Sequence, residues 1–331
     1  MLEGFASALY GFGATDHRAA MLTTVATVLP IFALVLAGWF VRRVGLLGAA
    51  ATTELNRFVV YLALPALLFD VVATADPTDI WQPGFIATFG IGSAVIFVGT
   101  LAVRLRRTSL AEASIDGLNA AYANTGFLGF PLALAALGRD ALGPTLVATI
   151  ITACVLFAVA LVLIETGARA GQSGWALTLR VGRSLLTNPL LVAPAVAAVF
   201  PLTGIAPPAP LESFMSLLGG AASPCALVAL GLFLAADRKE TGAGDASGIG
   251  ILVALKLLGQ PLVTWLLATM VFRLSPALTT TAVLLAALPT GTGPFMLAEF
   301  YGRGAATTAR VILISTLVSV VTVSAYLVFT T

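Results

Sequence analysis

Asn124-Thr125-Gly126-Phe127-Leu128-Gly129-Phe130-Pro131 decides how this chain is read. The eight residues sit in the middle of an apolar stretch, about Asp116 to Leu137, long enough to cross a bilayer. Proline removes one backbone N–H and its ring clashes with the carbonyl four residues back, and the two glycines weaken the helix further. Inside lipid the freed groups find no water, so such a break survives only where protein or a wet cavity covers it. A second interruption, Pro289-Thr290-Gly291-Thr292-Gly293-Pro294, falls near the centre of another apolar stretch. One kink alone more often serves helix packing. A pair of interrupted spans, one in each half of a chain, points instead to a substrate site at mid-membrane.

Working outward, composition agrees. Of 331 residues, 59% are hydrophobic and 10% charged, against about 25% charged in a soluble domain. A net charge of +2 without a basic run speaks against nucleic acid. Cys154 and Cys225 lie in apolar stretches and read as core residues, while the one histidine, His17, stands alone, so no metal set or cofactor is expected. Residues 1–20 lack a basic start and read as an extracytoplasmic tail.

At about 20 apolar residues per crossing, ten spans are expected. They are Leu22–Phe40, Asn56–Ala75, Gly84–Val103, Asp116–Leu137 and Gly143–Thr166, then Ser184–Phe200, Leu211–Ala236, Ile249–Phe272, Ala277–Phe300 and Ala305–Phe329. With both termini outside, 14 of the 17 Lys and Arg fall on the cytoplasmic side and three, Arg18, Arg139 and Arg273, outside. The expected class is an all-α membrane protein of two inverted five-helix repeats, 21–166 and 184–331, joined by a cytoplasmic linker at 167–183. Pro30 to Pro189 and Pro65 to Pro224 each span 159 positions and Pro131 to Pro294 spans 163, which suits a repeat.

A helix restarted after a break carries unpaired N–H groups and roughly half a positive charge. Two such ends meeting from opposite faces favour an anion, typically a carboxylate. The expected substrate residues are Asn124, Thr125, Gly126, Gly129 and Pro131 at the first break and Pro289, Thr290, Gly291, Thr292 and Pro294 at the second. Asn124 has a second reading, as a helix cap or as glue between helices, and the threonines can bond their own preceding turn. Thr149 and Thr152, on one face of the fifth span with Thr145, and Lys256 in the eighth are candidates for an ion or substrate path. Ordinary helix contacts explain the threonines equally well, and snorkelling to the interface is the preferred reading of Lys256. Asp70 and Glu165 read as solvated ends.

The stretch 124–131 resembles the fourth-span signature of the auxin efflux carrier family, whose members include plant PIN proteins and bacterial malonate- or malate-type carriers. Ala287 to Ala298 is similar to its ninth-span signature, and Leu64 to Phe69 and Asn188-Pro189 add to the resemblance. It implies a fold like the bile-acid symporters and NhaA. Spans 1, 2, 6 and 7 would form a static scaffold, and spans 3–5 and 8–10 a transport domain that slides as an elevator. It also implies a homodimer through the scaffold, residence in the cell membrane, and Asn124 with the backbone around Pro131 and Pro294 at the substrate carboxylate. Two departures stand out: the long loop of plant members is absent, and the third span carries none of their charged residues.

The leading expectation is thus a secondary transporter of a small organic anion such as malonate, malate or an indole acid, with Na+ or H+ as candidate coupling ions. A membrane sensor using the same pocket without turnover is the alternative. An intramembrane enzyme would need a nucleophile with its base, or a metal set, which the spans do not offer.

Overall fold

The computed structural model describes residues 29–30, 32–48, 50–74, 81–168, 187, 189–235 and 246–330. The expected N-terminal tail, Asn188, and most of the 167–183 linker lie outside them. Every element among the described residues is a helix, with one isolated bridge between Ala123 and Thr290.

Six helices are long and apolar enough to cross a membrane: α2 (Ala51–Ala73), α3 (Pro83–Arg104), α6 (Arg139–Gly167), α8 (Ala209–Leu234), α9 (Gly248–Val271) and α12 (Ala305–Thr330). Ahead of them, α1 lies within 29–43, and α7 is the shorter Pro189–Thr203. The two interrupted stretches each give a pair. The first is α4 (Leu110–Ala121) followed by α5, a π-helical turn Thr125–Gly129 running into Phe130–Leu137; the second is α10 (Pro276–Ala287) and α11 (Gly293–Phe300).

The helix containing Asp116 starts at Leu110, six residues ahead of the expected start, because Ser109 caps it by accepting from the Glu112 N–H at 3.3 Å. Asp116 is buried inside it as the partner of Arg104, 2.5 Å away. Glu165 departs from expectation. It is buried and accepts a hydrogen bond from the Tyr301 hydroxyl instead of ending in solvent.

Packing sorts the helices into two groups. In one, α2 lies against α7 and α8. There α1 and α8 approach so closely that a methyl at Gly38 or Gly231 would meet the carbonyl oxygen of Val228 or Val35 at 2.2 or 2.0 Å. Small residues permit that approach where lipid supplies no hydrophobic drive between helices. In the other, α3 packs on α4 and α9, α6 on α4, and α10 on α9 and α12. The groups meet where α11 reaches the start of α2, and the Asn56 amide donates to the carbonyl of Met296 at 3.3 Å. Large apolar side chains such as Leu217 and Val321 face outward, as hydrocarbon surroundings allow.

Candidate functional site: the crossing of two broken spans

The two breaks meet. The Asn124 N–H donates to the Pro289 carbonyl at 2.9 Å and the Gly291 N–H to the Tyr122 carbonyl at 3.0 Å, a short antiparallel contact between two helices' interruptions. Each break thereby satisfies backbone groups of the other, the condition for irregular chain in a membrane.

Three further carbonyls at the ends of α4 and α10 are taken by side chains. Thr290, fully buried, donates its hydroxyl to the Asn119 carbonyl at 2.8 Å, and its N–H donates to the Ser315 hydroxyl at 3.2 Å. The Gln260 amide donates to the Ala121 carbonyl at 3.1 Å and to the Ser93 hydroxyl at 3.0 Å. Lys256, one turn before Gln260 on α9, donates from Nζ to the Ala286 carbonyl at 2.7 Å. The snorkelling reading of Lys256 is therefore corrected: the side chain is fully buried and caps a broken helix. A donor at a helix C-terminus takes up one of the carbonyls left without an intrahelical partner.

Beside the crossing lies a cavity of 340 Å³, walled by both breaks and by α2, α6 and α8. Of the expected residues, Asn124, Thr125, Gly126, Thr149 and Thr292 line it. Gly129 does not; it packs near Thr145 and Leu285. Pro289 and Gly291 serve the backbone contact, Thr290 caps α4, and Pro294 is buried in the first turn of α11. Pro131 is the second residue of the segment Phe130–Leu137, but α5 already restarts at Thr125. Proline has no N–H for the carbonyl four residues back, and the widened turn ends just before it. Thr149 bonds its own preceding turn through the Thr145 carbonyl at 2.8 Å, whereas the buried Thr152 hydroxyl has no partner. Neither Thr152 nor Lys256 lines the cavity.

Two features give the cavity its chemistry. Asn124 makes no side-chain cap to α5 and no side-chain hydrogen bond to the described residues, so its amide is left to the cavity. The Gly126 and Phe127 N–H groups opening α5, and those of Thr292 and Gly293 opening α11, have no protein acceptor among the described residues, and all four residues line the cavity. Both restarted ends therefore address one space, whose other walls are mostly apolar, among them Val59, Leu64, Leu68, Phe130 and Met296, with Thr149 and Ser223 adding hydroxyls.

Sequence reasoning missed Tyr122, Gln260 and Asn119. A methyl on Gly293 would meet the Tyr122 ring at 2.7 Å, and Asn119 is fully buried and donates to the Thr308 hydroxyl at 3.0 Å. The spacing of Lys256 and Gln260, four apart on an apolar helix, was the available signal.

The sequence matches the family described as membrane transport protein over residues 23–327. A Rhizobium meliloti protein named "Putative malonate transporter" is 33% identical over 302 residues, covering 91% of this chain and 93% of that one. An uncharacterized transporter of Escherichia coli K12 is 29% identical over 80% of this chain and 84% of its own length. Another, from Methanothermobacter thermautotrophicus, is 28% identical over 71% and 75%.

Proposed function

The chain belongs to this membrane transport protein family, the auxin efflux carriers, and from that premise we propose that it is a secondary transporter of a small organic anion held at the crossing. That it is a multi-pass membrane transporter and not an enzyme follows from the family; the substrate and mechanism are our reading. The observation that carries the reading is the cavity at which both restarted helix ends and the uncommitted Asn124 amide converge. Unpaired N–H groups with a partial positive charge, in a space shielded from water, select a carboxylate over a neutral or cationic solute. The name of the rhizobial relative makes malonate the first candidate.

The mechanism we propose is an elevator. The ten spans are α1, α2, α3, the pair α4/α5, α6, α7, α8, α9, the pair α10/α11, and α12, arranged as two inverted repeats with both termini outside. The packing groups support a scaffold of α1, α2, α7 and α8, which dimerises, and a transport domain of the rest. The cavity lies on the seam between them, with Leu64 and Ser223 on one side and Asn124 and Thr292 on the other. A domain carrying the crossing past a fixed wall would expose the site alternately, with Na+ or H+ as the coupling ion.

Counterflow in proteoliposomes tests the proposal. Vesicles loaded with unlabelled malonate should accumulate labelled malonate from outside; saturable binding without exchange would mark a sensor and sink the transporter reading for this substrate.

A further inference from the structure

Tyr122 closes α4 directly before the first break, and only its backbone and ring are used by the protein. Its N–H donates to the Leu118 carbonyl at 2.8 Å and its carbonyl accepts from the Gly291 N–H, so the backbone is fixed between the two breaks. The ring is fixed as well. It meets Phe157 edge to face at a centroid distance of 6.1 Å and lies over Gly291 and Gly293, where an added Cβ would stand 2.9 and 2.7 Å from ring carbons. Glycine at both positions lets the ring lie that close. The hydroxyl at its tip would stand 2.8 Å from a Cβ on Gly293, which puts it beside the start of α11.

Tyr122 is 8% exposed and lines the cavity, and its hydroxyl makes no hydrogen bond to the described residues. A buried tyrosine hydroxyl ordinarily finds a partner, because leaving it unpaired is costly. Thr125 and Thr292 add shorter hydroxyls to the same space, but a threonine can rotate toward its own backbone, as Thr149 does. The Tyr122 hydroxyl is held at the end of a fixed ring, clear of its own backbone, so its acceptor comes from the cavity.

Resting on the anion-carrier reading above, we propose that the Tyr122 hydroxyl donates to the substrate at the start of α11. With the open Thr292 and Gly293 N–H groups it forms a second carboxylate seat, beside that of Asn124 and the Gly126 and Phe127 N–H groups. The substrate class is then a short acid with a carboxylate at each end. A Cβ on Gly291 would stand 3.4 Å from the Asn124 Cα, so the two seats are close enough for such an acid to reach both. A phenol donates to a carboxylate more strongly than to a neutral acceptor, so the second seat discriminates by charge.

Tyr122→Phe keeps the ring and removes only the hydroxyl. Since no described residue pairs with that hydroxyl, the variant should melt, without ligand, at or above the wild-type temperature. Calorimetry on the purified full-length protein then compares malonate with malonamate, which keeps the skeleton but carries a neutral amide in place of one carboxylate. Tyr122→Phe should weaken malonate about tenfold or more, the loss of a hydrogen bond to a charged acceptor. Malonamate can seat its carboxylate by Asn124 and turn its amide to Tyr122, so it should weaken by about fivefold or less. Malonate bound equally by the variant and wild type would overturn the role of the hydroxyl. A variant that melts well below wild type, or fails to fold, would overturn it too, because the hydroxyl would then have a partner in the protein. Equal losses for the two acids would overturn the second carboxylate seat. Wild-type protein that binds neither acid would instead defeat the anion-site reading itself, and this proposal with it.

Discussion

At the first break the chain leaves a side-chain amide and two N–H groups to the cavity, whereas at the second it leaves the Thr292 and Gly293 N–H groups but spends Thr290 on protein. Asn124 has no side-chain partner among the described residues, and Gly126 is exposed, with only the Thr149 methyl, at 3.8 Å, near the place of an added Cβ. Thr290 is fully buried with both its hydroxyl and its N–H bonded, and Gly291 and Gly293 lie against the Tyr122 ring. One physical event, a helix interrupted away from water, thus has two resolutions. The difference teaches that the first break supplies the site's side-chain amide, while the second, apart from its two open N–H groups, holds the crossing together. Substitutions at the first should alter affinity, and those at the second should alter stability.

Asn124→Asp should have the largest effect. The change is nearly isosteric but sets a negative charge against a bound carboxylate. At about 4 Å and an effective dielectric near 20 the repulsion is about 4 kcal/mol, close to a thousandfold in affinity. Asn124→Ala removes only a hydrogen bond to a charged partner, worth about 1.5–3 kcal/mol, roughly 10- to 150-fold. Calorimetric Kd values for both variants check the order, and a thermal melt should find the alanine protein as stable as wild type. A melting temperature that falls while affinity holds would make Asn124 structural and erase the contrast between the breaks.

Thr290→Val and Gly293→Ala probe the other side. The first strands the buried Asn119 carbonyl at a cost of about 1–3 kcal/mol. The second drives a methyl to 2.7 Å from the Tyr122 ring, and overpacking of this kind costs about 1–3 kcal/mol. Both should lower the melting temperature in detergent, with the Kd of the protein that remains folded moving less than for Asn124→Ala. A threonine variant that melts normally yet fails to bind would show Thr290 itself to be ligand-facing.

The break pair was legible because Gly and Pro in an apolar stretch have a local physical consequence that no tertiary partner can hide. Pro131 and Pro294 announce it without knowledge of the fold. What closes the breaks was not legible, since the partners are remote: Thr290 and Asn119 are 171 positions apart, and Gln260 and Ala121 are 139 apart. Lys256 was misread for the same reason. From sequence, a lysine two turns inside a span can reach either the interface or a helix end, and only the placement of Ala286 decides. Asp116 shows a different failure. Ser109-Leu110-Ala111-Glu112 has the capping-box pattern and marks the true start of α4, six residues ahead of the span start expected at Asp116.

The smallest expected effect sharpens the comparison most. Gly126 does not have the left-handed backbone that would require glycine, and its added Cβ would find ordinary contact distance to Thr149. Alanine there should fit the turn and reduce the freedom of the unfolded chain, a gain of about 0.4–1 kcal/mol. Its methyl would project into the cavity, since Gly126 lines it. Gly126→Ala should therefore melt at or slightly above the wild-type temperature, while affinity falls more for a bulky carboxylate such as an indole acid than for malonate. Gly293→Ala, the same chemical change at the other break, should lose stability. A Gly126→Ala protein that melts as low as Gly293→Ala would mean that the first break is packed as tightly as the second, with no space left for a ligand at the start of α5.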